Sequence, residues 1–168
     1  MVIIYIYISY IMFNNDNETD NYMTPPYVWD LIIPFIPKEK IIWEAFFGDG
    51  ESGEYLKSKG FNVIHQDIDF FENDSGEIIV SNIPFSKKQE VFTRLKLLNK
   101  PFIVISSAVI LSNVWFQKLF KNEIGIIIPN HRLKYRHLTI NKDKLYTAPP
   151  TWFFCYKNDK IGNNIFFL

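Results

Sequence analysis

Asn82, Ile83, Pro84 and Phe85 have the types and order needed to hold a planar amine. They follow Glu77 to Ser81, which reads as a buried strand, so the turn falls at that strand's carboxyl end. An amine on an aromatic ring is a poor nucleophile, because its lone pair is delocalised into the ring. Two acceptors facing its N–H bonds would draw that lone pair out of conjugation: the Asn82 side-chain oxygen and the backbone carbonyl of residue 83. No strong base is required, since the proton can leave once the nitrogen is cationic. Phe85 would stack on a base flipped out of a duplex. Without function, the same residues are a strand-ending turn with a core phenylalanine.

A second group lies upstream, Glu44-Ala45-Phe46-Phe47-Gly48-Asp49-Gly50, after a strand expected over Lys40 to Trp43. Gly48 and Gly50 let the backbone turn sharply and approach a ligand closely. The helix that follows would offer free N–H groups to a carboxylate. With Gly53 the run also matches the G-x-G-x-x-G pattern of dinucleotide sites. Glu44, four residues before the first glycine, and the downstream Asn-x-Pro-Phe turn argue against that reading. Asp67 and Asp69 end the next strand, where a carboxylate can accept both hydroxyls of a ribose. Asp67 is the better placed. Asp69, with Phe70 and Phe71, is the alternative lining of a base pocket, and a solvated strand-end acid is the plain alternative for both.

The elements that must position these groups alternate. Thr24-Pro25-Pro26 starts a helix, with Thr24 as cap, that carries Val28, Leu31 and Ile32 on one face and ends before Pro34. The glycine turn leads into a helix to about Lys59, stopped by Gly60. Strands are expected at Phe61–His65, Phe102–Ser106, Ile124–Ile128 and Trp152–Tyr156, and helices at Lys87–Leu98 and around Val114–Phe120. Continuous apolar strands alternating with helices predict an α/β fold with a doubly wound, mostly parallel, Rossmann-like sheet. Ligands of such sheets bind outside the strands' carboxyl ends, where both groups fall.

The chain of 168 residues is 48% hydrophobic and 17% aromatic, which suits one packed domain. Eighteen basic residues balance eighteen acidic ones, so nucleic-acid binding would need a local basic patch. Lys87 and Lys88 lie just past the turn, and His131-Arg132-Leu133-Lys134-Tyr135-Arg136-His137 is the densest basic stretch. Arg132 and Lys134 could follow a phosphate backbone, and a solvated loop face reads equally well. Residues 130–150 are expected to form a loop or hairpin on the substrate side. One cysteine, Cys155, excludes an internal disulfide and fits a reducing, intracellular compartment. His65, His131 and His137 have no metal-ligand spacing, and no metal is expected. Trp29, Trp43, Trp115 and Trp152 read as core or rim residues.

Residues 1–22 are expected to be an N-terminal extension before a domain at 23–168. Met1 to Phe13 is apolar, too short for a span of about 20 residues, and no Lys or Arg precedes Lys38, as a signal peptide would require. An added edge strand or packing arm, a stretch read from an upstream start codon with Met12 or Met23 as the true start, and membrane attachment all remain open. Asn14 to Asn21 reads as a polar linker.

Over roughly Met23 to Ser107, the order of Thr24-Pro25-Pro26-Tyr27-Val28, Glu44 to Gly50, Asp67-Ile68-Asp69 and Asn82-Ile83-Pro84-Phe85 resembles the class I S-adenosylmethionine-dependent DNA adenine-N6 methyltransferases. It looks especially like short viral or phage-type members, in which the catalytic motif leads into a Lys-rich helix such as Ser86-Lys87-Lys88-Gln89-Glu90. The resemblance implies that Thr24, Glu44, Phe46, Gly48 and Gly50 hold the methionine part of S-adenosylmethionine. It implies that Asp67 or Asp69 holds its ribose, and that Asn82, Ile83, Pro84 and Phe85 are catalytic. If viral, the protein would work in host cytoplasm or nucleus. The family motif is Asn-Pro-Pro-Phe/Tyr, so Ile83 replaces its first proline. The carbonyl survives, and Pro84 still biases Ile83 towards an extended backbone, but φ is no longer locked by a ring. Ala45, where the family usually has proline, is a lesser departure.

Methyl transfer to adenine N6 in DNA is therefore the expected function. Methylation of an RNA base or a protein glutamine amide is one alternative. A weakened or inactive methyltransferase fold that acts as a binding module is another.

Overall fold

A computed structural model describes residues 19–141 and 143–168. The strand, arm or membrane attachment expected over residues 1–13 lies outside the described residues, as does most of the expected linker.

Seven strands form the main sheet, in the order β10-β6-β9-β5-β4-β2-β3. They are β2 (Ile42–Trp43), β3 (Val63–Ile64), β4 (Ile78–Asn82), β5 (Phe102–Ser107), β6 (Ile124–Ile128), β9 (Thr151–Tyr156) and β10 (Ile165–Phe167). All are parallel except β9, which runs antiparallel between β5 and β6. Four helices join them: α1 (Pro26–Asp30), α2 (Glu51–Ser58), α3 (Lys88–Leu98) and α4 (Val114–Phe120). This is the mostly parallel, Rossmann-like α/β sheet expected from the sequence. A second, small sheet is made of β1 (Tyr22–Met23), β7 (Lys134–His137) and β8 (Leu145–Thr147). β7 and β8 are the antiparallel hairpin expected within 130–150.

Period-two alternation divides the strands between two cores. Ile42, Ile78, Val80, Ile103 and Ile105 share a core with Val28 and Trp29 of α1, Ile32 just beyond it, and Leu56 of α2. Trp43, Ile79, Phe102 and Val104 face Val91, Phe92 and Leu95 of α3 and Phe116 and Phe120 of α4. Burial on both faces explains why the strands read as unbroken apolar runs. Cys155 is fully buried, which pushes its thiol up to about 12 and leaves it without thiolate chemistry. Trp29 and Trp43 are core residues.

The chain runs from β2 outward to β3, then crosses to β4 on the other side of β2. The direction in which the chain is wound thus reverses between the parallel strands β2 and β4, the position at which such sheets bind ligands.

Two expectations need correction. Thr24 does not cap α1: the cap position is Pro25, and no side chain bonds there. Asp20 and Tyr22, placed by sequence in the extension, belong to the folded unit. Tyr22 pairs with His137 in the small sheet, and Asp20 accepts bonds from the Ser86 hydroxyl and, at 3.2 Å, from its backbone N–H. A chain starting at Met23 would lack both. Among the described residues no helix is long and apolar enough to cross a membrane.

Candidate functional site

β2 and β4 lie side by side and end in Glu44 and in the Asn82–Phe85 turn. A cleft of about 270 Å³ opens there, just under the range of about 300–1,000 Å³ usual for small-molecule sites. Asn82, Ile83, Pro84 and Phe85 all line it, as do Thr24, Glu44, Phe46, Gly48 and Asp67. Ile83 is 2% exposed and packs with Trp43, Ala45 and Phe70, so an isoleucine here fills the core beneath the turn.

Of the cofactor set expected from sequence, Gly50 and Asp69 are not among the residues that line this cleft. Gly50 is the cap of α2 with φ +86°, and its conformation shapes the turn. Asp69 builds a local turn, accepting the Phe71 N–H at 2.8 Å. Lys87, Lys88, Arg132 and Lys134 also stand away from the lining. Lys88 Nζ donates to the Phe85 carbonyl at 3.4 Å, and Lys87 sits 6.0 Å from the Phe71 ring. Arg132 and Lys134 are exposed.

Sequence reasoning missed several walls of the cleft. Asp20, Tyr22, Met23, Phe47, Asp49, Ser52 and Tyr135 also line it. Tyr22, Met23 and Tyr135 arrive through the pairing of β1 with β7, which no local pattern signals. Gly48 has φ +56°, and a Cβ there would lie 2.8 Å from Met23 Sδ, so the strap formed by β1 itself requires glycine. The α2 N-terminus is less open to an anion than expected. Asp49 Oδ1 already accepts the Glu51 N–H at 3.2 Å, and Glu51 and Glu54 fill the first turn.

The basic stretch contributes one ion-pair network beside this loop. Arg136 of β7 reaches Asp49 and Glu51 at 2.7 Å each, tying the small sheet to the glycine loop. Arg136→Ala should cost about 1 kcal/mol, the upper end for partly exposed pairs, read as a lowered denaturation midpoint that high salt reproduces in the wild type.

Electrostatically the cleft is acidic. Asp20, Glu44, Asp49 and Asp67 line it, with no lysine or arginine among the lining residues. Glu44 is 1% exposed and binds the Ser81 hydroxyl through Oε1. Its Oε2 lies 2.8 Å from His65 Nε2, an ion pair when the ring is protonated, although the ring N–H is not aligned on the oxygen. Burial raises the Glu44 pKa, against the opposing pull of His65 and Ser81. Burial lowers that of His65, but the Glu44 carboxylate more than offsets it, leaving the imidazole above its ordinary value.

Both shifts are upward, so the native state holds protons more tightly than the unfolded chain, and stability falls as pH rises. For His65 the contribution is full below the ordinary imidazole value of 6.5 and is lost as pH rises through the higher folded value. Denaturant midpoints measured across that window should fall in the wild type and flatten in His65→Gln.

Besides Glu44 Oε2, which has only the His65 contact, two buried polar atoms in lining residues have no hydrogen-bond partner among the described residues, Thr24 Oγ1 and Asn82 Oδ1. Such groups are rare, because each forfeits hydration without return. A free hydroxyl, a free amide acceptor and an acidic wall suit a ligand that brings N–H donors and positive charge. The set does not suit a pyrophosphate.

No family model matches the sequence, and no curated protein does. Among solved structures, the chain is similar to precorrin 8W decarboxylase from Methanobacterium thermoautotrophicum, at 12% identity and TM-score 0.47, covering 82% of this chain and 97% of that one. It is also similar to precorrin-6y C5,15-methyltransferase from Geobacter metallireducens, at 10% identity and TM-score 0.45, covering 83% and 96%. Likeness of that degree carries no argument about what the cleft binds.

Proposed function

We propose that the protein is a methyltransferase that uses S-adenosylmethionine and methylates the exocyclic N6 amine of adenine in DNA. The observation that carries this reading is the Asn82 Oδ1 atom, buried, unpartnered and beside Phe85 in a cleft walled by carboxylates. Thr24, Glu44, Phe46, Gly48 and Asp67 would hold the cofactor, Asp67 through its ribose hydroxyls. S-adenosylmethionine, when bound, supplies an electrophilic methyl group and a net positive charge, which the acidic wall suits and which a nicotinamide dinucleotide lacks.

Asn82 Oδ1 and the Ile83 carbonyl would accept the two amine N–H bonds and draw the nitrogen lone pair out of the ring. Pro84 shapes the turn, and Phe85 stacks on the extruded base. The nitrogen becomes cationic as it reacts, so its proton passes to water without a side-chain base. A buried acceptor kept without a partner also speaks against a decayed fold, in which such a cost has no return.

One observation favours a second acceptor, a protein glutamine amide: Lys87, Lys88, Arg132 and Lys134 all stand outside the cleft lining. The test is transfer of a labelled methyl group to mixed-sequence duplex DNA, RNA and glutamine-containing peptides, with Asn82→Ala as control. Label recovered as N6-methyladenine and lost in Asn82→Ala supports the proposal. Label on peptide instead moves the assignment to glutamine, and absence of both label and cofactor binding removes it.

A further inference from the structure

Glu44 presents a physical difficulty. A carboxylate 1% exposed would take up a proton rather than stay charged, unless a cation stands beside it. The Ser81 hydroxyl is neutral. Among the described residues, the cation paired with Glu44 is His65, whose own side chain is 2% exposed.

His65 is also held in place by construction. It follows β3, yet its ring lies over α2, in a hollow that exists because residue 53 is glycine. A Cβ on Gly53 would sit 2.1 Å from the ring. The other side of the imidazole is stacked on Phe47, at 4.6 Å and an interplanar angle of 21°. Phe47 belongs to the loop that lines the cleft. One ring thus touches the ends of β2 and β3, the first turn of α2 and the glycine loop.

We propose that His65 is a positioning residue, which keeps Glu44 ionised in the cleft wall and steadies the glycine loop through Phe47, and thereby sets the affinity for a positively charged cofactor. The proposal rests on the S-adenosylmethionine reading above. The groups facing His65 are Glu44 just after β2, the Phe47 carbonyl from the loop, and Lys57 and Glu54 from α2. Lys57 and Glu54 pair with each other at 2.7 Å and nearly cancel, so Glu44 dominates. The raised His65 pKa agrees with this balance.

The proposal predicts a pH signature that a purely packing role lacks. In His65→Phe the ring stack and volume remain, but the cation is gone and Glu44 protonates. S-adenosylmethionine affinity, measured by calorimetry, should fall about tenfold near neutral pH. It should recover towards the wild-type value as pH rises, because a Glu44 of raised pKa then ionises again. Glu44→Gln should bind weakly at every pH, and His65→Gln should fall between. The imidazole C–H resonance of His65 provides a readout without cofactor, since its titration midpoint should drop in Glu44→Gln. Wild-type-like binding by His65→Phe, an equal loss at all pH values, or an unchanged midpoint would overturn the proposal. Wild-type protein that does not bind S-adenosylmethionine overturns the underlying cofactor reading, a failure distinct from the others.

Discussion

Replacing Asn82 by alanine is expected to lower methyl transfer by about 10²–10³-fold while leaving the protein as stable as before, or more so. The two effects have one origin. Asn82 ends β4, paired with Ile105 of β5, and its Oδ1 is buried with no donor. An unsatisfied buried polar atom costs about 1–3 kcal/mol. Deleting it relieves the fold and removes the acceptor that the amine needs. Steady-state transfer rates and thermal midpoints, measured together, check this. A fall in both would mean that Asn82 is structural and the amine site lies elsewhere. Ile83 makes the contrasting case. Its side chain is packed with Trp43 and Phe70, so Ile83→Pro exchanges core volume for a locked φ. The variant should be less stable than wild type even if restoring the family proline raises the rate.

Gly53→Ala should be the most damaging of the helix substitutions. At an exposed interior helix position, alanine in place of glycine gains about 1 kcal/mol. Here the added methyl group would overlap the His65 ring, with its nearest approach 2.1 Å from Cγ and Nδ1. The ring is confined by Phe47 on one side and paired with Glu44 at its tip. Overpacking of this kind costs about 1–3 kcal/mol, enough to cancel the propensity gain and more. The displaced ring would disturb both the Glu44 pair and the loop bearing Gly48. The expected result is a lowered thermal midpoint together with weakened cofactor binding. A stabilised variant that binds normally would mean that His65 has room to move.

The alternation of apolar runs with helical spacing was enough to read the main sheet, because burial on both faces writes itself into consecutive residues such as Ile78 to Val80 and Phe102 to Ile105. The boundaries of α4 and β6 follow from sequence to the residue. Of the small sheet, the β7–β8 hairpin was legible but its pairing with β1 was not, because β1 has two residues and β7 lies far along the chain. Four residues of the turn and five of the expected cofactor set meet at one cleft, since strand-end motifs are local in sequence and the fold gathers strand ends. Asp69 and Gly50 stand outside the cleft lining, and sequence alone does not separate a ribose-binding acid from a turn-capping one, or a ligand-facing glycine from a left-handed cap. His65 was dismissed as a metal ligand, and its partnership with Glu44 went unseen. Nothing in the spacing joins the ends of β2 and β3 until the strands pair.

The antiparallel seating of β9 dictates an order of assembly. β5 and β6 are translated well before Thr151–Tyr156, yet they never bond to each other, and each waits for β9 to fill the gap between them. On the ribosome, both strands must therefore expose an unpaired apolar edge until β9 emerges. Closing the sheet then depends on contacts that are distant in sequence, the kind that slow folding. The same late insertion brings Thr151 to Tyr135, whose hydroxyl lies 3.0 Å from the threonine oxygen. A wall of the cleft is thus completed only after Thr151–Tyr156 has emerged, and a nascent chain short of that point has no finished binding site to occupy.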